Sequence, residues 1–220
     1  MKPRSPFIQP FQALPANLPI YILENALLPG GELPLELSAP ADLALFMQAL
    51  RTDQLIGMLQ PHPEDTAWGT YRVGCAGRIR QYRERKDGRL NVMLTGVCRY
   101  KLIEQASQAS GYRVAKVDWN GYENDYETET IDTAVVDAFM TDLHSYFERH
   151  AMQADWKVLN ELPIEQVVNN LILVLNMSID DKQKLLESPT VSTRIALFSR
   201  ILKDKSDPIL TTAPQSNLVN

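Results

Sequence analysis

The chain has 220 residues, 45% of them hydrophobic and 22% charged, and a formal net charge of −5. That length holds one large folded unit or two small ones and buries its own core. No run reaches the roughly 18 uninterrupted apolar residues of a membrane helix, and the opening MKPRSPFIQPFQALPANLP is too rich in proline for a secretory signal, so a cytoplasmic protein with no membrane partner is expected.

Residues 1–17 read as an N-terminal extension. Leu18-Pro-Ile-Tyr-Ile-Leu23 and Leu33-Pro-Leu-Glu-Leu37 alternate apolar and other side chains and predict strands, with Leu33, Leu35 and Leu37 on one face. Pro29-Gly30-Gly31 between them predicts a turn, and Pro19 and Pro34, lacking an N–H, belong at strand starts, edges or bulges. A helix follows, with Ser38 as its cap, Pro40 in the first turn, and Leu43, Phe46, Met47 and Leu50 on its apolar face.

Leu55 to Leu59 returns to a buried strand, and His62, between Pro61 and Pro63, is expected in an exposed loop. Tyr71 to Tyr82 predicts a long strand whose Gly74 and Gly77 suit bulges or close backbone approach. Lys86-Asp87-Gly88-Arg89 predicts a type I′ hairpin turn. Leu90 to Thr95, then Gly96, then Val97 to Ile103 and finally Tyr112 to Trp119 supply the remaining strands. Six or so short strands with one inserted helix make a small β-barrel or open sandwich over residues 18–120.

Charge divides the chain. Residues 1–120 hold 14 Lys+Arg against 11 Asp+Glu, whereas residues 121–220 hold 8 against 16. The segment 121–130, GYENDYETET, has no apolar period and reads as a linker whose Glu123, Asp125, Glu127 and Glu129 form a solvated face. Residues 131–205 read as a bundle of four helices. Val135, Phe139, Leu143 and Phe147 mark the first, with His144 beside their stripe, and Pro163 opens the second. Ser178-Ile-Asp-Asp181 caps the third, and Ser188-Pro189 starts the last, with Val191, Ile195, Phe198 and Leu202 on one side. Residues 206–220 read as a disordered tail.

No phosphate-binding glycine loop, nucleophile elbow or His-Glu-x-x-His motif occurs, and Cys75, Cys98, His62, His144 and His150 match no metal spacing. No catalytic residue, metal or cofactor is expected. Both cysteines read as small buried hydrophobes.

The order of these pieces resembles the N-terminal domain of the ATP-dependent Lon proteases. The residues that carry it are Leu18-Pro-Ile-Tyr-Ile-Leu23, Leu28-Pro-Gly30, Leu33-Pro-Leu35, Tyr71 to Ile79, Asp87 to Gly96 with Arg99, and Asp181 to Glu187. The resemblance spans roughly residues 15 to 203. It implies an α+β fold, a PUA-like β-barrel or sandwich with one inserted helix followed by a C-terminal helical bundle. It also implies a stand-alone bacterial member without the ATPase and peptidase modules, hence a non-catalytic module for polypeptide recognition in protein quality control. The implied partners are unfolded or degron-bearing polypeptides, with a separate protease or ATPase and self-association as further expectations.

Two surfaces are candidates. For polypeptides they are the aromatics Trp68, Tyr71, Tyr82 and Tyr100, which offer large rigid area with a polar end, together with Arg99, which otherwise ties the barrel to the helices through an acidic residue. For RNA, as PUA-like barrels elsewhere bind, the candidates are Arg78, Arg80, Arg83 and Arg85 with Tyr82 continuing the Arg78–Arg80 face for base stacking. The acidic chain as a whole disfavours the second reading.

Overall fold

The computed structural model describes residues 7–65 and 67–204. The expected tail and the first six residues of the N-terminal extension lie outside them.

Alternation in the sequence becomes two-faced strands. In β2 (Glu32–Leu37) Leu33, Leu35 and Leu37 are buried and the residues between them exposed. Opposite them in β5 (Leu90–Ser107) stand Leu94, Val92 and Leu90, also buried, because directly paired residues share a face. The other strands are β1 (Asn17–Ile22), β3 (Leu55–Leu59), β4 (Val73–Glu84) and β6 (Arg113–Asp118).

The pairings run β5–β4–β3–β1–β6 and return to β5, with β2 alone outside this ring. The sheet therefore rolls up on itself, a sandwich-like form rather than a clean barrel, within a mixed α+β fold. β1 and β3 pair in parallel, which requires a crossover, and β2 with helix α1 (Pro40–Arg51) supplies it. Pro34 lies on the edge strand, and Pro19 precedes the first residue that β1 pairs with β3.

Several expectations are corrected. Ser38 does not cap α1: Ala39 holds that position with no side-chain bond, and the buried face is Leu45, Phe46 and Ala49 while Met47 is exposed. At the hairpin only Gly88 takes a positive φ, and the Arg85 N–H donates to Arg89 O. The loop is thus a three-residue turn ending in a left-handed glycine, because Asp87 can stay right-handed there. No break occurs at Gly96; β5 runs through it.

The helical half contains α2 (Thr133–Arg149), α3 (Trp156–Glu161), α4 (Ile164–Val174), α5 (Ile179–Glu187) and α6 (Val191–Asp204), one helix more than expected. These C-terminal helices pack on one another, α2 on α6 and α5 on α6, and also on the sheet. The short α3 is capped by Asp155, and its Trp156 ring stacks on His144 at 3.5 Å. α4 packs on β2 and α5 on β4. One hydrophobic core consequently runs from Leu33, Val92 and Leu94 into Phe139, Val168, Ile172 and Phe198. A second fills the ring of strands, with Leu18, Ala76, Cys98, Tyr100 and Leu102.

Candidate functional site

The segment expected to be a solvated linker is docked. Glu123–Tyr126 forms a single 3-10 turn, and Tyr122 and Tyr126 pack on the core inside the strand ring. Only Glu123 and Glu127 of its acidic residues are exposed. Asp125 meets Arg99, their side chains 5% and 4% exposed. The Arg99 backbone N–H donates to Asp125 Oδ2 at 2.8 Å, and Arg99 Nη2 to Asp125 Oδ1 at 2.6 Å. Arg99 also donates to three main-chain carbonyls at the α5–α6 turn, Leu186 (3.2 Å), Ser188 (2.6 Å) and Pro189 (3.2 Å). Although burial pulls this guanidinium down, Asp125 outweighs it and holds the group above its ordinary value. Arg99 thus ties strand to helices.

Glu129 explains why α6 begins at Val191 rather than at Ser188-Pro189. Its carboxylate accepts from the Val191 N–H at 2.6 Å and from the Ser192 N–H at 3.2 Å, two of the donors that a helix start leaves without intrahelical partners.

The aromatic candidates separate. Tyr100 is fully buried, its hydroxyl donating to Met58 O and its ring edge-on to Trp119, and burial pushes its pKa up. It offers a partner no surface. Trp68 and Tyr71 share one half-exposed loop. Arg72 lies 4.1 Å over the Trp68 ring, and Gln105 donates to Trp68 O. The Tyr71 ring stands 4.4 Å from that of His62, which is therefore half-buried rather than exposed, and its hydroxyl donates to Asp180 at the start of α5. Burial first, and the Asp180 charge second, raise the Tyr71 pKa.

The arginine face expected for RNA is not assembled. A bulge between Ile79 and Gln81 inserts Arg80 and reverses the alternation, so Tyr82 pairs with buried Val92 and turns onto Phe46 instead of continuing from Arg78. Arg80 pairs with Glu32, Arg85 with Glu36, and Arg89 with Glu36 and Asp87. Arg78 lies over Phe7, beside a groove of about 560 Å³ floored by Thr95 and Val97. Arg83 is exposed.

Among the described residues no group of three or more His, Cys, Asp or Glu is placed to hold a metal, and no helix is long and apolar enough to cross a membrane. Cys75 and Cys98 are fully buried, and burial, then the Asp125 charge, pushes both thiols up. Neither is expected to react with a disulfide reagent in the native protein at pH 8, and both should react after unfolding. Native labelling at the rate of a free thiol would show that the strand ring opens.

Sequence reasoning missed Asp125 and Glu129, and with them Arg194, buried on α6 with its Nε donating to Leu185 O at 3.0 Å. For Arg194 a signal existed, since it sits three residues after Val191 and one before Ile195, a charge on an otherwise apolar stripe. For the two carboxylates none did, because their partners lie 26 and 62 residues away.

The family profile described as the ATP-dependent protease La (LON) substrate-binding domain matches residues 17–204, and the chain belongs to that family. It is 26% identical over 211 residues to the Lon protease of Anaeromyxobacter dehalogenans and, equally, to Lon protease 2 of Myxococcus xanthus. The matches cover 88% of this chain but 24% of those proteins. In fold it is similar to the N-terminal domain of Mycobacterium avium complex Lon protease (TM-score 0.64, 17% identity, 86% of this chain and 98% of that one). A Lon N-terminal domain protein from Xanthomonas campestris is also similar (TM-score 0.57, 22% identity, 85% and 97%).

Proposed function

We propose that this chain is a non-catalytic polypeptide-recognition module, an adaptor or substrate-binding protein of cytoplasmic protein quality control. The observation that carries this reading is the substrate-binding family match, which extends over nearly every described residue. The physical support is the loop bearing Trp68 and Tyr71. Its rings are held in place by Arg72, His62 and Asp180 while leaving area exposed, so a client would meet aromatic surface already ordered. Extended chains are the fitting clients, since a folded partner would hide the apolar side chains that such rings bind.

Titrating a reduced, alkylated and therefore unfolded protein should slow amide exchange in the 67–72 loop. The double variant Trp68→Ala/Tyr71→Ala should weaken binding by about tenfold or more while leaving the fold intact. Absence of protection anywhere in the chain would sink the reading. Single-stranded RNA serves as the control ligand, and no retention is expected even at ~50 mM salt, where phosphate contacts are strong.

A further inference from the structure

Past the end of β3, strand β4 has a neighbour on one side only. β3 pairs with Cys75 to Arg78, and the Ile79 N–H donates to Gln54 O, just ahead of β3. From Gln81 to Glu84 the strand is paired with β5 alone, and every residue from Arg80 to Glu84 is exposed.

The register fixes which main-chain groups face outward. At the hairpin the Arg85 N–H donates to Arg89 O and the Gly88 N–H to Arg85 O, so Arg85 turns its amide and carbonyl toward β5. That direction alternates along an antiparallel ladder. Arg83 and Gln81 therefore also face β5, and the N–H and C=O of Tyr82 and Glu84 point away from it. Among the described residues nothing donates to or accepts from those outward groups. The opposite flank, β2, is closed. There the Gly96 N–H donates to Gly31 O, so by the same alternation Glu32, Pro34 and Glu36 face outward, and Pro34 has no N–H to give. β4 carries no such block, and its outward groups repeat at ~6.8 Å, the spacing with which an added strand pairs.

Side chains give each face of this edge its own character. Tyr82 and Glu84 share the face toward α1, where Tyr82 is 55% exposed beside Phe46, and Arg83 lies on the other face. Arg80, Arg85 and Arg89 have carboxylate partners, whereas neither Arg83 nor Glu84 has an ion-pair partner among the described residues. An antiparallel strand added here complements them with a basic residue opposite Glu84, an acidic one opposite Arg83 and an apolar one opposite Tyr82. A second copy of β4 fits worse. The register that sets Tyr82 against Glu84 also sets Arg83 against Arg83, and the one that sets Tyr82 against Tyr82 calls on Arg80, already held by Glu32.

We infer that the outer edge of β4 at Tyr82 to Glu84 takes an extended client segment as an added strand, selecting side chains in the order basic, acidic, apolar from N to C. The inference rests on the polypeptide-recognition reading and adds a second contact to it, at the other end of β4 from the Trp68–Tyr71 loop.

The probes are the reduced, alkylated protein, the blocked peptide Thr-Lys-Glu-Phe-Thr, its isomer Thr-Glu-Lys-Phe-Thr, and the first peptide N-methylated at Phe, which removes the N–H that Tyr82 O accepts. Glu84→Pro copies Pro34: it deletes an outward N–H and leaves the bonds to β5 in place. Glu84→Ala keeps that N–H and controls for the lost charge. The unfolded protein and the first peptide should each slow amide exchange at Tyr82 and Glu84. The isomer should bind about threefold more weakly than the first peptide. N-methylation, and separately Glu84→Pro, should weaken binding at least about tenfold. If the unfolded protein protects the 67–72 loop while Tyr82 and Glu84 exchange as before, or if the N-methylated peptide binds like its parent, the edge contact is overturned and polypeptide recognition stands. Protection of the two amides that grows with protein concentration without any probe also overturns it, because a second copy then occupies the edge. If the unfolded protein protects no amide, both are overturned.

Discussion

Replacing Asp125 with alanine is expected to cost about 3–5 kcal/mol, a large part of the stability of an ordinary domain. The reason is burial, not the bare count of hydrogen bonds. Arg99 is 4% exposed at its side chain, so once the carboxylate is gone its charge stays in a low-dielectric site with three carbonyl dipoles and the Tyr122 ring, 5.1 Å away, to face. The Arg99 backbone N–H loses its acceptor as well. Asp125→Asn should cost less, since an amide oxygen still serves that N–H. The pair Arg99→Met/Asp125→Leu should recover much of the loss, because neither partner is then left charged and alone. Urea unfolding of the three variants beside the wild type decides the matter. A midpoint for Asp125→Ala within the scatter of ordinary surface substitutions would show that the pair is solvated.

Local patterns show in a sequence, and distant partners do not. Leu33, Leu35 and Leu37 announce their face because alternation is a local property, and the structure buries all three. Asp125 and Glu129 announce nothing, since a carboxylate in a stretch without apolar period looks solvated until its distant partner is known. Tyr82 was misplaced for a different reason: extrapolating two-residue alternation from Arg78 presumes an unbroken ladder, and one inserted residue reverses it. Tyr100 was legible in principle. Cys98, Tyr100 and Leu102 alternate with polar neighbours, and all three are buried, so the strand itself marks Tyr100 as core. Trp68 and Tyr71 are half-buried, and their neighbours His62, Arg72 and Asp180 come together only through the fold.

At the α5–α6 turn Arg194, Arg99 and Glu129 act together. Arg194 holds the carbonyl of Leu185, and Arg99 holds those of Leu186, Ser188 and Pro189, so two arginines from different elements clamp one short stretch of backbone. Glu129 then fixes the helix that leaves it. Three charged side chains thereby set the position of one wall of a cleft of about 190 Å³ at the junction of strands and helices, while the Pro29–Gly31 turn sets another. Apolar packing joins sheet to helices without fixing this local geometry. Directional bonds do so, which is why charge is found here in the interior.

Gly96→Ala should be the most damaging single-methyl change in the strands, costing about 3 kcal/mol or more, or preventing folding. A Cβ on Gly96 would lie 2.0 Å from Leu28 O and 2.8 Å from the Leu28 carbonyl carbon, both main-chain atoms that cannot swing aside. The crossing is held by the Gly30 N–H donating to Gly96 O at 2.9 Å and the Gly96 N–H donating to Gly31 O at 2.8 Å. To admit the methyl, both bonds must lengthen and the turn must lift. That displaces Pro29, whose carbonyl accepts from buried Asn169 on α4 and whose ring borders the cleft. Gly88→Ala provides the contrast, because its Cβ would meet open space and the only penalty is the left-handed backbone, about 1 kcal/mol. Comparing the two variants in urea separates close approach from backbone freedom. Equal midpoints would mean that the 28–31 turn does not rest on β5, and that the wall it gives the cleft is not fixed.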